Sequence, residues 1–183
     1  MIRESIVITT DLKKKPHIVP MGIIFKKNKI IISPFIPSQT YLNLKDNPYA
    51  VINFTEDVNI FVDALLGKKK FKIKPTKKIK SFYLNNALTY LEVKITKFIE
   101  DKIRPKFECE ILKETSLNSF KGFNRAQLSV IEAAILVSRI NIISMQKIKK
   151  EINYLKIAID KTAGKNEKIA WKKLIKKINN KND

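Results

Sequence analysis

The sequence predicts an α+β protein, with strands first and helices second, rather than an alternating α/β chain. Two observations carry this. Through about the first two-thirds, apolar residues alternate with polar ones or run in short blocks bounded by proline, glycine and asparagine, as strands and turns do. From Ser116–Gly122 onward they recur at helical spacing. No internal repeat is visible, and 183 residues with 44% hydrophobic content suffice for one well-buried core, or one domain with a sizeable appendage. The expected division is a β-rich domain over 1–115 and a helical region over 116–183.

Glu4–Thr10 alternates, with Ile6 and Ile8 on one face and Ser5, Val7 and Thr9 on the other. Ile18–Phe25 is apolar but interrupted. Pro20 lacks a ladder donor and Gly22 a side chain, which predicts an edge, a bulge or a close approach by a ligand. Lys26–Lys29 reads as a turn with Asn28 suited to positive φ, and Lys29–Ser33 as the returning strand. After Pro34 and Pro37, Ser38 can cap a short helix that ends near Asn47-Pro48. Tyr49–Phe54 is a buried strand. Asp57 can cap a second helix, with Val58, Phe61, Val62, Leu65 and Leu66 at helical spacing and Gly67 as its stop. Lys68–Lys80 is a basic connection without clear pattern. Leu88–Ile99 and Lys106–Leu112 read as longer strands, and Cys109, between Glu108 and Glu110, should face the interior. Asn124 with Gln127 has capping spacing for a helix running towards Ile143. Met145–Asp160 and Glu167–Ile178 follow, separated by Gly164; the last gathers Ile169, Trp171, Leu174, Ile175 and Ile178 mostly on one side.

Composition removes several function classes. One histidine and one cysteine leave no structural zinc site and no internal disulfide, and His17 is the sole histidine base a hydrolase would have. The apolar runs are too short to span a bilayer, so a cytoplasmic protein without a membrane partner is expected. A formal charge of +20 suggests nucleic acid at first. The excess is scattered lysine, however, with arginine only at Arg3, Arg104, Arg125 and Arg139, so a nucleic-acid partner is not expected. The dispersed glycines form no phosphate loop or dinucleotide fingerprint.

Two segments carry candidate chemistry. In the first, Val19, Pro20, Met21 and Gly22 present backbone groups that a flat ligand can bond. Ser38 and Thr40 sit at a helix N-terminus that favours a phosphate, and Asn43 and Asn53 can bond a polar ring edge or a ribityl chain. Equally, Ser38 is a cap, Thr40 fills a turn and Pro20 marks an edge strand. In the second, Arg125, Glu132 and Arg139 lie seven residues apart on a helix apolar around most of its circumference. Buried there, they would form an internal relay, or Arg125 would face an anionic ligand. His17 reads as a turn or surface residue, Asp57 as a cap and Trp171 as core or interface.

At these residues the chain resembles a known family. Glu4-Ser5-Ile6-Val7, Val19-Pro20-Met21-Gly22, Pro34-Phe35, Ser38-Gln39-Thr40-Tyr41-Leu42-Asn43-Leu44, Val51-Ile52-Asn53-Phe54-Thr55 and Phe61-Val62-Asp63-Ala64 occur in its order and spacing. Phe123-Asn124-Arg125-Ala126, Val130-Ile131-Glu132-Ala133 and Lys161-Thr162-Ala163-Gly164 match its second region. It is an archaeal family of unknown function placed among the flavin-reductase-like, FMN-binding split barrels. The resemblance implies a six-stranded split barrel followed by helices, a homodimer, and FMN in a groove at or near the dimer interface. Val19–Gly22 would lie against the isoalloxazine, Ser38, Thr40 and Tyr41 around the phosphate, and Asn43, Asn53 and Phe54 along the remainder. Arg125 joins this set if it reaches the phosphate. The implied function is that of an FMN-dependent oxidoreductase or flavin reductase, its substrate unassigned and its catalytic residues unknown. The alternatives are a non-catalytic flavin carrier or sensor, or a deazaflavin-binding protein. Two segments depart from the family: Asp11–Lys15, with lysines in a turn expected to hold glycine, and the basic Lys68–Lys80.

Overall fold

The computed structural model describes residues 1–26 and 29–181, so the turn expected at Asn28 lies outside the described residues. The chain forms two compact units: Met1–Thr55 with Lys69–Phe120, and Glu56–Lys68 with the chain from Lys121 on.

The strands, in chain order, are β1 (Ile2–Thr10), β2 (Pro16–Lys26), β3 (Lys29–Ile32), β4 (Tyr49–Phe54), β5 (Ile73–Pro75), β6 (Phe82–Leu84), β7 (Thr89–Ile99) and β8 (Lys106–Ser116). In the first unit, six of them close an antiparallel barrel in the order β1-β2-β3-β8-β7-β4, while β5 and β6 form a separate hairpin. Strand alternation sends Val7, Ile23, Ile30, Ala50, Ile52, Leu91 and Phe107 into one interior cluster. Each fully buried Ile or Leu there contributes roughly 1.5–3 kcal/mol of apolar burial. Cys109 joins this cluster, and burial pushes its thiol up to about 12. A short helix, α1 (Gln39–Asp46), adds Leu44 and Tyr41 to the same interior.

The connection that lacks pattern in the sequence contains β5, which pairs with β6 just beyond it in a hairpin stitched to the outside of the barrel. Asn53, Tyr90 and Glu92 alternate with the inward residues of β4 and β7 and therefore point outward. Asn53 Oδ1 accepts from the Leu84 N–H at 2.9 Å, and Tyr83 stacks on Tyr90 with centroids 4.2 Å apart. The Glu92 carboxylate, 0% exposed, accepts from the N–H groups of Lys77, Lys78 and Ile79 at 3.3, 2.8 and 2.7 Å. Between β7 and β8, Glu92 pairs with Lys113 and Val93 with Ile111, which leaves Leu112 as the extra residue of a bulge. The β1–β2 turn is closed by Asp11, whose carboxylate accepts from the Lys15 N–H and whose carbonyl accepts from Lys14. Lys14 adopts φ 60°, taking the left-handed conformation in the turn where the resemblance expects glycine.

The second unit is helical: α2 (Val58–Leu65), α3 (Arg125–Ser138), α4 (Met145–Thr162) and α5 (Lys165–Asn179). Its core joins Val58 and Val62 of α2 to Val130 and Ala133 of α3, Ile148 and Ile152 of α4, and Trp171 and Leu174 of α5. Thus α2, within 1–115 in sequence, packs with the late helices. Asp63 ties it to α5 through Lys173 at 2.5 Å, and the Asn59 amide donates to the Asn166 carbonyl at 2.9 Å. Asp57, Asn124 and Ser144 cap α2, α3 and α4 through side-chain acceptors. The first two agree with the sequence.

Three expectations are corrected here. Helix α3 stops at Ser138 rather than near Ile143, because the Ser138 hydroxyl turns back onto the Ile135 carbonyl and Ile142 and Ile143 both bond Arg139 in a tight turn. Arg125, Glu132 and Arg139 are exposed, so they form a solvated stripe and no buried relay; the face that α3 buries is Ala126, Ser129, Val130, Ala133, Ala134 and Val137. Ile169 is 41% exposed, outside the apolar side of α5.

Candidate functional site: the split in the barrel

β2 pairs with β1 over nine residues, from Ile24 opposite Ile2 to Pro16 opposite Thr10. On its other edge β3 reaches only Ile24, Phe25 and Lys26. Among the described residues, β2 is therefore unpaired on that edge from Pro16 to Ile23. The local cause is legible: Pro16 and Pro20 remove ladder donors, and β3 has four residues before the chain turns away at Ser33-Pro34.

The sequence-marked residues divide into three groups. Val19 and Met21 of β2, Tyr41 of α1 and Phe54 at the end of β4 each pack against the barrel's interior cluster. Phe54 faces Phe25 with centroids 6.1 Å apart, and Tyr41 meets Phe107 edge-on at 6.2 Å. Pro20 and Gly22 alternate to the opposite face of the strand, beside Ile6 and Glu4. A Cβ on Gly22 would stand 3.0 Å from Ile2 Cγ2 and 3.4 Å from Glu4 Oε1, so the close approach anticipated there is made by β1 side chains.

Ser38 caps α1, its Oγ accepting from the Tyr41 N–H at 3.2 Å, and Thr40 is buried just inside the helix. The side-chain amides of Asn43 and Asn53, which the resemblance places along the remainder of the cofactor, are both engaged within the chain. Asn43 Nδ2 donates to Thr9 Oγ1 at 2.9 Å and its Oδ1 accepts from Gln39 at 2.7 Å, which seats α1 on β1. Asn53 Nδ2 donates to the Ile6 carbonyl at 3.1 Å while its Oδ1 holds the hairpin outside the barrel. Arg125 is an exposed residue in the first turn of α3, in the second unit.

His17 lies half-buried on β2 opposite Thr9, and burial holds its imidazole below the ordinary value. Among the described residues no group of three acidic, histidine or cysteine side chains could hold a metal ion, and no helix is long and apolar enough to cross a membrane. The split thus offers main-chain polar groups beside an apolar interior, and no acid–base pair among the described residues. Sequence reading missed Glu92, Tyr90 and Leu112. Glu92 alternates with Leu91 and Val93 as a solvent-facing residue would, and nothing local announces that a hairpin covers it.

A six-stranded antiparallel barrel opened beside β2 and followed by helices is the architecture of the flavin-binding split-barrel proteins. Residues 3–118 match the profile of the N-terminal domain of a protein of unknown function (DUF447), and residues 124–176 match the second profile of that family. The chain belongs to this family. It is 29% identical over 195 residues to the uncharacterized protein MJ1453 of Methanocaldococcus jannaschii, covering 98% of this chain and 99% of that one. The crystal structure of the FMN-bound DUF447 protein MM1853 from Methanosarcina mazei superposes with a TM-score of 0.84 over 96% of this chain and 94% of its own, at 19% identity. The 2-nitrobenzoate 2-nitroreductase NbaA of Pseudomonas fluorescens is more distant: TM-score 0.55, 16% identity, 62% of this chain and 64% of that one.

Proposed function

We propose that this chain binds FMN in the split of its barrel and works as a flavin-dependent oxidoreductase or flavin reductase. The observation that carries the reading is the unpaired edge of β2 from Pro16 to Ile23, a strand whose Val19 and Met21 pack against the barrel's apolar interior. A flat, heteroatom-edged ring suits such a place, stacking on apolar groups while main-chain donors and acceptors meet its polar rim. The N-terminus of α1, where Gln39 and Thr40 have no preceding helical turn, suits the phosphate. Bound flavin supplies hydride or electron transfer; the chain's part is to bind and orient it, so the missing acid–base pair is no obstacle. The FMN reported for MM1853 supports the choice of cofactor. We further propose an archaeal source, in keeping with the organisms of the two full-length matches, and a homodimer in the cytoplasm.

The test is an absorbance spectrum of freshly purified protein, mass spectrometry of what heating releases, and a titration with FMN. A flavin band with FMN released, or saturable quenching of FMN fluorescence at micromolar concentration, supports the reading. A released deazaflavin keeps the site and changes the cofactor. Colourless protein that leaves FMN fluorescence unchanged removes the proposal. Reduction of the bound flavin by a nicotinamide or deazaflavin donor separates an enzyme from a carrier. Arg125→Ala should weaken FMN more than riboflavin if Arg125 serves the phosphate; equal weakening assigns it a structural role. Light scattering on the eluted peak checks the dimer.

A further inference from the structure

Three irregularities of the barrel unit surround one cleft. Lys14, at φ 60°, is the single non-glycine residue with positive φ among those described. Leu112 is the residue displaced from the ladder at one of the two irregularities between β7 and β8, the one beside Glu92. The main chain of Lys77–Ile79 is wrapped around the buried Glu92 carboxylate. All three segments line a cleft of about 520 Å³, completed by the end of α1 and by Tyr49 at the start of β4. Bulges and left-handed non-glycine residues concentrate where a chain must aim side chains at a ligand. That volume lies within the range of small-molecule sites.

The chemistry of the lining points to an anion. Lys14, Lys78 and Lys80 border the cleft with exposed side chains, and Lys13, Lys15 and Lys77 adjoin them in sequence. Asp11 and Asp46 also line it, but the Asp11 carboxylate already accepts from the Lys15 N–H. Tyr49, Ile79 and Leu112 supply a partly apolar wall. Eight lysines between residues 68 and 80 repel one another, and a loop of that composition would spread in solution unless held. Glu92 holds it, fixing the main chain from which Lys78 and Lys80 project. Cations ordered beforehand lose less freedom when an anion arrives.

We propose that this cleft binds a phosphate-bearing anion of nucleotide size, with its phosphates against Lys14, Lys78 and Lys80 and its ring against Tyr49, Ile79 and Leu112. None of these residues belongs to the split, so the proposal goes beyond the flavin reading and stands whether or not a flavin occupies the barrel. The test is calorimetric titration of the full chain with ADP at physiological salt. Wild-type protein should bind one ADP per chain, and Lys78→Glu/Lys80→Glu should weaken binding at least tenfold. Lys149→Glu/Lys150→Glu on α4, an equal change of charge, should leave binding within twofold. Lys14→Gly removes one cation while placing the residue best suited to the turn, so folding is preserved and binding should weaken several-fold. The proposal is overturned by absence of saturable ADP binding, by equal weakening in the α4 variant, by unaltered binding in Lys14→Gly, or by binding of duplex DNA in preference to ADP.

Discussion

A carboxylate removed wholly from solvent is costly unless donors surround it, and Glu92 has three main-chain N–H groups within 3.3 Å. Glu92→Ala takes the acceptor from all three and should destabilise the protein by about 2–4 kcal/mol in chemical denaturation, with Glu92→Gln, which keeps one acceptor, costing less. Lys14 presents the opposite case. Its φ of 60° strains any residue with a Cβ, so Lys14→Gly should stabilise the fold by about 1 kcal/mol in the same assay. What was legible at this scale was local. Ser38, Asp57 and Asn124 announced themselves as caps because their hydrogen-bond partners lie two or three residues on. Asn43 and Asn53 stood out as polar residues in apolar surroundings, but their partners Thr9, Ile6 and Leu84 lie more than 30 residues away, and sequence spacing carries no trace of those bonds.

The same distinction between near and far partners decides which elements could be read. β2 declared its broken pairing through Pro20 and Gly22, and β4 matched its apolar run from Tyr49 to Phe54. β5 and β6 were hidden because three residues are too few for any periodicity to register. Helix α3 misled for a different reason: alanine and small aliphatic residues cover its circumference, and an alanine-rich face looks alike in core and in solvent. Its buried face shows only in the packing of Ala126, Val130 and Ala133. At its start Asn124 Oδ1 accepts from the Ala126 N–H at 2.8 Å while Asn124 Nδ2 donates to the Thr162 carbonyl at 3.2 Å. Asn124→Ala should therefore cost about 1–2 kcal/mol, more than an isolated cap, in thermal unfolding. The pairing of α2 with α5 gives a pH dependence. Burial alone would raise the Asp63 carboxyl, but hydrogen bonds and charge from Lys173 and Lys68 outweigh it and hold the group below its ordinary value. A depressed carboxylate contributes stability that is fully present above its unfolded value and is lost as pH falls through the folded one. Stability should thus decline below about pH 4, and Asp63→Asn should be less stable at pH 7 and flatter in that acid range.

Over the whole molecule, closure of the barrel could not be derived from alternation alone; it entered through the ordered blocks of the family resemblance, and the six-stranded barrel agrees with it. The grouping of α2 was least visible, since it depends on Val58 and Val62 meeting residues of α3 and α5 far along the chain. Amide hydrogen exchange should show α2 protected together with the C-terminal helices and not with the neighbouring strand β4; protection that follows β4 would count against the two-unit division. That grouping also has a consequence for the order of synthesis. Helix α2 ends at Leu65 and α5 begins at Lys165, so the apolar face of α2 leaves the ribosome about 100 residues before the helix to which Asp63 binds. At about 5–20 residues per second the interval is roughly 5–20 s, during which β7 and β8 arrive and allow the barrel to close while α2 still carries an uncovered apolar face. A growing chain of this protein is therefore most exposed to aggregation and to chaperone capture in one defined interval, between completion of the barrel and emergence of the last helix.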